Sequence, residues 1–169
     1  MIIVGLDPGS LFTGYGVIRY EGGNLQYLHH GVIKNTSSTD MSKRLLKIGA
    51  ELSDIFHKFN PTCVVVEKIF LGKNVDSAFK LGHVRGVAFY EAQKISAKVV
   101  EYAAREVKKG ITGYGSAEKE QVRFLVANYL KIKEDIQIDA ADALALAVYH
   151  SQRADIDAKL SRNIMLNEL

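Results

Sequence analysis

The segment 138–147 constrains the fold more than any other part of the chain. It is a strong helix former and almost wholly apolar, yet it carries two carboxylates, Asp139 and Asp142. Residues three apart lie on one helical face, with Cβ atoms about 5–6 Å apart. Two like charges that close, in a segment composed for burial, repel each other and lose hydration, so we expect a cationic group between them. The alternative is that Asp139 is an N-cap and Asp142 a first-turn acid favoured by the helix dipole.

Length and composition indicate one soluble globular domain. The chain has 169 residues, of which 47% are hydrophobic and 24% charged, as in ordinary globular proteins. Its apolar runs are too short to cross a bilayer and no signal peptide precedes the first strand-like segment, so we expect a cytoplasmic protein. The single cysteine, Cys63, lies in an apolar run, and we expect it to be a buried small hydrophobe in a reducing compartment.

Charge is unevenly distributed along the chain. Residues 1–67 carry six basic and six acidic side chains, residues 68–133 carry thirteen and six, and residues 134–169 carry three and seven. A basic middle region is typical of a protein with a polyanionic partner, because phosphate neutralisation releases counterions. Charge alone also fits a solvated surface with scattered lysines.

Hydrophobic periodicity predicts an α/β fold. Strands are predicted at 2–6, 13–20, 25–34, 62–66 and 98–102, and helices at 41–59, 76–94, shortly after 102, from a Ser116 cap to about Leu130, and from Asp139. Val122, Leu125, Val126 and Tyr129 are predicted to face inward, and glycines 110, 113 and 115 to lie in a loop. Three antiparallel strands followed by alternating helices and strands predict a five-stranded mixed sheet with helices on both faces.

Two further acids end predicted strands. Asp7 and Glu67 each terminate an apolar strand, and ligands gather beyond the carboxyl ends of parallel strands. Taken singly, Asp7 fits an Asx-turn before Pro8 and Glu67 a solvated strand end. Together with the two helical acids they form four hard oxygen donors without a His or Cys cluster, which suits Mg²⁺ or Mn²⁺. Such a group can hold two ions about 3.5–4 Å apart for phosphodiester hydrolysis.

The chain resembles the RuvC-type crossover junction endodeoxyribonucleases, the Holliday-junction resolvases, from its N-terminus to about His150. The matching stretches are Gly5-Leu6-Asp7-Pro8-Gly9-Ser10, Thr13-Gly14-Tyr15-Gly16, Glu67-Lys68-Ile69-Phe70, Lys73-Asn74, Asp76-Ser77-Ala78, Leu81-Gly82, Arg85-Gly86-Val87-Ala88, Glu101-Tyr102-Ala103-Ala104-Arg105, Gly115-Ser116-Ala117-Glu118-Lys119 and Asp139-Ala140-Ala141-Asp142-Ala143-Leu144-Ala145.

The resemblance implies a ribonuclease-H-like nuclease domain over residues 1–153. It also implies a homodimer that uses two Mg²⁺ ions, with Mn²⁺ as a substitute, to make paired nicks across a four-way DNA junction, in contact with a RuvA–RuvB branch-migration complex. The family's catalytic, metal-binding acids fall on Asp7, Glu67, Asp139 and Asp142, and some members carry His where this chain has Asp139. The tail, 154–169, contains no stretch that supports the resemblance, and its apolar residues fit either a docked helix or a frayed end.

The resemblance further implies DNA-binding and dimer residues. The predicted DNA-binding set is Phe70, Lys73, Arg85, Lys108 and Lys119. Within it, the resemblance implies that Phe70 stacks on an unpaired base and favours Lys108 and Lys119 as DNA contacts. Lys119 also lies in the first turn of a predicted helix, where a phosphate would meet free backbone N–H groups. Arg85 equally fits an exposed helix face.

Small residues recur every four positions on one helix, at Ala78, Gly82 and Gly86. Glycine in a helix interior costs about 1 kcal/mol relative to alanine, so close backbone approach is expected. The approaching partner is either the chain's own sheet or the same helix of a second subunit, and the resemblance implies the second.

Two other functions fit parts of the pattern. One is a non-catalytic junction-binding module on the same fold, against which the four acids argue. The other is a lobe of an actin-like ATPase or sugar kinase, suggested by the Asp-Pro-Gly-Ser turn at residues 7–10. Those proteins close two lobes over a nucleotide, and 169 residues hold only one.

Overall fold

A computed structural model describes residues 1–69 and 75–167, with side chains described as far as residue 154. The elements are β1 (Ile2–Asp7), β2 (Phe12–Glu21), β3 (Asn24–Lys34), α1 (Met41–Phe59), β4 (Cys63–Glu67), α2 (Val75–Lys94), β5 (Lys98–Tyr102), α3 (Ala104–Thr112), α4 (Lys119–Leu130) and α5 (Ile138–Asn167). In the described part of the chain, no helix is both long and apolar enough to cross a membrane.

The strands form one five-stranded sheet in the order β3-β2-β1-β4-β5. β1 pairs antiparallel with β2 and β2 with β3, whereas β4 runs parallel to both β1 and β5. The central strand β1 is an apolar run whose Ile3, Val4 and Leu6 are fully buried, as expected of a strand covered on both faces. The predicted mixed sheet is confirmed.

Each face of the sheet has its own apolar core. Helices α1 and α2 cover one face, where Leu52, Phe56 and Val84 are buried. Helices α3, α4 and α5 cover the other, with Val126 and Leu144 among the buried residues. The prediction of helices on both faces is therefore confirmed.

Helix α5 lies directly on the backbone of β1 and β2. A Cβ added at Gly5 would stand 1.9 Å from the Ala143 carbonyl oxygen, and one at Gly14 would stand 2.0 Å from the Asp139 carbonyl oxygen. Only glycine permits so close an approach. Because Gly14 pairs with Asp7 across the sheet, this contact holds the first turn of α5 beside the end of β1.

Several local predictions are wrong. Helix α4 begins at Lys119, and its N-cap is Glu118 instead of the predicted Ser116. Glu118 and Gln121 form a reciprocal capping box, in which each side chain accepts a hydrogen bond from the backbone N–H of the other residue. Gly110 lies inside α3 instead of a loop. A glycine is needed at this helical position because a Cβ atom there would overlap the Tyr149 ring.

The ends and faces of two helices also differ from prediction. Helix α5 begins at Ile138, so Asp139 lies in its first turn and is not its N-cap. Tyr129 is exposed, because the inward face of α4 follows Val122, Val126 and Leu130. The tail continues as α5 to Asn167, and the division of the chain at residue 153 remains a prediction.

Candidate active site

The carboxyl groups of Asp7 and Glu67 meet at one edge of the sheet. β1 and β4 are parallel neighbours in which Leu6 pairs with Val66, so the next residue of each strand is one of the two acids. Burial, followed by the charges of Glu67 and Asp142, raises the pKa of Asp7 to about 8. At neutral pH Asp7 therefore keeps a proton and donates it to Glu67.

The two acids of α5 lie over the same edge. The negative charge of Asp142 raises the pKa of both Asp7 and Glu67, and burial is the larger cause for each. Asp139 follows the start of α5, where its carbonyl covers Gly14, the partner of Asp7 in β2. Four acids from three parts of the chain are thus collected by two strand ends and one helix start.

Lys119 is the cation expected among these acids. Its ammonium donates to Asp142, with 2.6 Å between Nζ and Oδ2. Partial burial alone would lower the pKa of Lys119, but the hydrogen bond and charge of Asp142, with the charges of Asp7 and Asp139, raise it. The lysine is the first residue of α4, so that helix aims its positive end at the acid cluster.

A cleft opens beside this cluster, between α3, α4 and α5. It is lined by Glu67, Ala104, Val107, Lys108, Lys119, Val122, Asp142, Ala145 and Leu146. The positive charge of Lys108 acts to lower the pKa of Glu67. The cleft thus combines carboxylate oxygens with two lysines, a combination that suits a divalent ion and a phosphate.

The acids fit a divalent cation, although they are not arranged as a finished metal site. No group of three His, Cys, Asp or Glu side chains within residues 1–69 and 75–154 already has the spacing of a metal site. Asp7 shares a proton with Glu67, and Lys119 neutralises Asp142. Buried like charges require a cation or a proton, and hard carboxylate oxygens are the donors that Mg²⁺ prefers.

Comparison with known proteins agrees with this geometry. The family model for crossover junction endodeoxyribonuclease RuvC matches residues 3–150. The chain belongs to the RuvC family. The RuvC of Bdellovibrio bacteriovorus is 46% identical over 166 residues, covering 98% of this chain and 99% of that protein. The RuvC of Pectobacterium atrosepticum is 50% identical over 149 residues, covering 88% and 87%.

Solved RuvC structures share the fold. The Thermus thermophilus RuvC structure superposes with a TM-score of 0.84 at 32% identity, covering 93% of this chain and 97% of that one. T. thermophilus RuvC in complex with a Holliday junction substrate gives a TM-score of 0.83 at 30% identity, covering 92% and 96%. The resemblance and the ribonuclease-H-like fold are both confirmed.

Among the other residues assigned to DNA binding, the structure describes only Arg85. Phe70 and Lys73 fall outside the described residues. The Arg85 side chain is 12% exposed, forms an ion pair with Glu101 and stacks its guanidinium 5.3 Å from the Phe89 ring centroid. This conformation turns Arg85 inward, so its assignment to DNA remains a prediction that requires the ion pair to open.

The helix ridge implied as a RuvC dimer surface faces away from the sheet. Cβ atoms added at Gly82 and Gly86 would meet no atom within 4 Å. The alternative that this ridge packs on the chain's own sheet is therefore wrong. Exposed Val75 and Phe79 lie on the same helix, and Phe79 lines an apolar groove with Ala78 and Gly82.

Sequence reasoning missed one cluster around His150. The His150 ring lies between Cys63 and Tyr102, within hydrogen-bonding distance of both. Those residues are 87 and 48 positions away in sequence. The available signal is a histidine that follows an apolar stretch of the helix, and this does not identify its partners.

Proposed function

We propose that this RuvC-family chain is a Mg²⁺-dependent endonuclease that resolves four-way DNA junctions by paired symmetric nicks. The observation that carries the proposal is the convergence of Asp7, Glu67 and Asp142 on Lys119 beside one open cleft. Carboxylates held together with lysines serve phosphodiester hydrolysis. A close structural relative has been solved with a Holliday junction substrate.

The four acids would hold the metal ions. Bound divalent ions would lower the pKa of an attacking water and stabilise the leaving oxygen of the phosphodiester. To hold these ions, Asp7 would have to lose the proton that it shares with Glu67, and Lys119 would have to release Asp142. Asp139, at the start of α5, supplies the fourth carboxylate, at a position where His also occurs in the family.

The DNA strand would follow the basic side of the cleft. Lys108 on α3 and Lys119 at the start of α4 line it together, and the positive end of the α4 dipole adds to their attraction for phosphate. Phe70 and Lys73 come a few residues after Glu67, which suits an aromatic side chain that stacks on an unpaired base near the nick. Arg85 would join them after leaving Glu101.

A homodimer would supply the second nick. The proposed contact is the ridge of Ala78, Gly82 and Gly86 on α2, which is open to a partner and flanked by exposed Val75 and Phe79. A two-fold axis through this surface would relate two active sites symmetrically. We also propose a cytoplasmic location and contact with a RuvA–RuvB branch-migration complex, both on the basis of family membership.

The test uses a synthetic four-way junction incubated with the protein in Mg²⁺ or in EDTA, with each strand end-labelled in turn. We expect two nicks at symmetric positions on opposing strands in Mg²⁺ and none in EDTA. A linear duplex of the same sequence should remain intact. Junction binding without nicks in any divalent ion would contradict the proposal and favour a non-catalytic junction-binding module.

A further inference from the structure

A hydrogen-bonded chain of three side chains joins Cys63, His150 and Tyr102, and the first two are buried. The Sγ of Cys63 is 3.3 Å from Nε2 of His150, and the hydroxyl of Tyr102 is 2.9 Å from Nδ1 of the same ring. Cys63 and His150 are only 2% and 8% exposed. Polar groups in an apolar core are costly unless they are hydrogen-bonded, so this chain is satisfied in only one relative placement of its three elements.

Two of those three elements, β4 and α5, carry acids of the site, and the third, β5, pairs with β4. Cys63 begins β4, the strand that ends at Glu67, and Tyr102 is paired directly with Glu67 in β5. His150 lies on α5, eight residues after Asp142. The chain therefore connects the strands that present Glu67 to the helix that presents Asp142.

This connection supplies a constraint that packing does not. At β1 and β2, α5 rests on bare glycine backbone, which fixes its height above the sheet. At β4 it meets side chains such as Cys63 and Val65, and apolar contacts alone tolerate small displacements along the sheet. A directional hydrogen bond does not, because it weakens steeply when its angle changes.

We propose that Tyr102 and His150 are positioning residues that hold α5 against β4 and β5 and thereby set the separation of Glu67 from Asp142. This inference rests on the proposed function of those acids. A two-ion site needs carboxylates placed for ions about 3.5–4 Å apart, and residues behind the ligands commonly control metal affinity.

Two neighbouring contacts support this role. The backbone N–H of Lys68, the residue after Glu67, donates to the Tyr102 carbonyl at 2.8 Å, so Tyr102 holds both the strand end and the helix. The Tyr149 ring packs edge-on against the Tyr102 ring, with centroids 4.9 Å apart. This contact restricts rotation of the Tyr102 side chain. The Tyr149 hydroxyl donates instead to Glu106 of α3, at 2.9 Å.

Tyr149 therefore provides a matched control. Tyr102→Phe and Tyr149→Phe each remove one phenolic hydroxyl from the same pair of rings, but only the first breaks the connection to β5. Mn²⁺ binding to the free protein is measured by calorimetry, and the Mg²⁺ concentration for half-maximal nicking is measured on the junction. Unfolding temperature and junction affinity in EDTA are recorded for both variants, since a merely structural role would change these first.

We expect Tyr102→Phe to weaken metal binding and raise the half-saturating Mg²⁺ concentration by about threefold to tenfold, with Tyr149→Phe unchanged. His150→Asn keeps a polar atom near the Nδ1 position and should restore much of the metal affinity that His150→Leu loses. This pair decides the question if Tyr102→Phe folds poorly.

Two results would overturn the inference. One is metal binding by Tyr102→Phe equal to that of the unmodified protein, and the other is an equal shift in both Phe variants. If the unmodified protein binds Mn²⁺ but leaves junctions intact, the proposed function fails, while the calorimetric comparison of the variants still tests the positioning role.

Discussion

The Lys119 ammonium lies 2.6 Å from the Asp142 carboxylate, as a contact between the first residue of α4 and the first turns of α5. A cation at a helix start is destabilised by the helix dipole. The neighbouring carboxylates stabilise the charge of Lys119 at this position. The lysine therefore neutralises a carboxylate that we propose as a metal ligand. A divalent ion bound there would compete with the lysine for Asp142.

Lys119→Met should increase the affinity of the DNA-free protein for Mn²⁺ by several-fold, because the metal no longer displaces a bound ammonium. Calorimetry at neutral pH and low salt measures the change. Lys43→Met, at an exposed position paired with Asp40 on the other face of the sheet, is the control for loss of one positive charge. Weaker Mn²⁺ binding by Lys119→Met would contradict this competition.

Lys119→Ala should weaken junction binding and reduce its salt dependence. Loss of one phosphate contact lowers the slope of log K against log salt by about one. Fluorescence anisotropy with a labelled junction in EDTA, over a series of NaCl concentrations, gives the slope. An unchanged slope would mean that Lys119 does not contact phosphate.

Asp7→Asn, Glu67→Gln and Asp142→Asn should each abolish nicking while junction binding survives. Each substitution keeps the shape of the side chain and removes one negative charge from the proposed metal ligands. Gel assays of nicking in Mg²⁺ and of binding in EDTA separate the two effects. Full-rate nicking by any variant would remove that residue from the catalytic set.

Asp7→Asn should also stabilise the metal-free protein at alkaline pH. Burial and two neighbouring carboxylates raise the pKa of Asp7 from 3.8 to about 8, so the folded state holds a proton that the unfolded chain releases. The stability associated with that proton is present below about pH 4 and is lost as pH rises to about 8. Asn carries no such penalty, and the variant should be more stable by on the order of 2 kcal/mol at pH 9.

Urea unfolding in EDTA between pH 5 and pH 9 measures this difference. The free energies of unfolding of the two proteins should diverge as the pH rises. Parallel curves would show that Asp7 ionises in the folded protein as readily as in the unfolded chain.

Gly14→Ala should destabilise the protein by about 2–4 kcal/mol, because its Cβ would overlap the Asp139 carbonyl oxygen and a backbone contact cannot repack. Gly22→Ala, at a turn where a Cβ would meet nothing within 4 Å, carries only the strain of its positive φ. Urea unfolding compares the two variants. A smaller loss at Gly14 than at Gly22 would show that α5 can lift off the sheet.

The meeting of Asp7 with Glu67 could be predicted from the sequence more fully than the surroundings of Asp142, and the catalytic and metal-binding roles of these acids stay predictions. Asp7 and Glu67 were predictable because parallel strands place their ends at one edge. A cation near Asp142 was expected from electrostatics, but its identity was not, since Lys119 is 23 positions away on another helix. Which helices meet depends on packing angles that residue periodicity does not encode.

Arg85 and His150 are two further residues whose tertiary contacts cannot be predicted from the sequence pattern. The helical position of Arg85 is compatible with an exposed cation. In the fold its side chain turns inward, where it pairs with Glu101 on β5 and stacks on Phe89. The partners of His150 cannot be predicted from the sequence pattern, because they lie on two different strands. Local pattern predicts which face of a helix is apolar, but polar residues within that face depend on tertiary contacts.

The glycines beneath α5 limit which amino-acid substitutions this protein can accept. With no side chains between helix and strands at Gly5 and Gly14, their spacing follows from the radii of main-chain atoms alone. A volume-conserving exchange elsewhere in the two cores can be absorbed by repacking, because side chains adjust to one another. A side chain added at Gly5 or Gly14 would meet main-chain atoms that cannot adjust in this way, so substitution is least tolerated where the protein has no side chain at all.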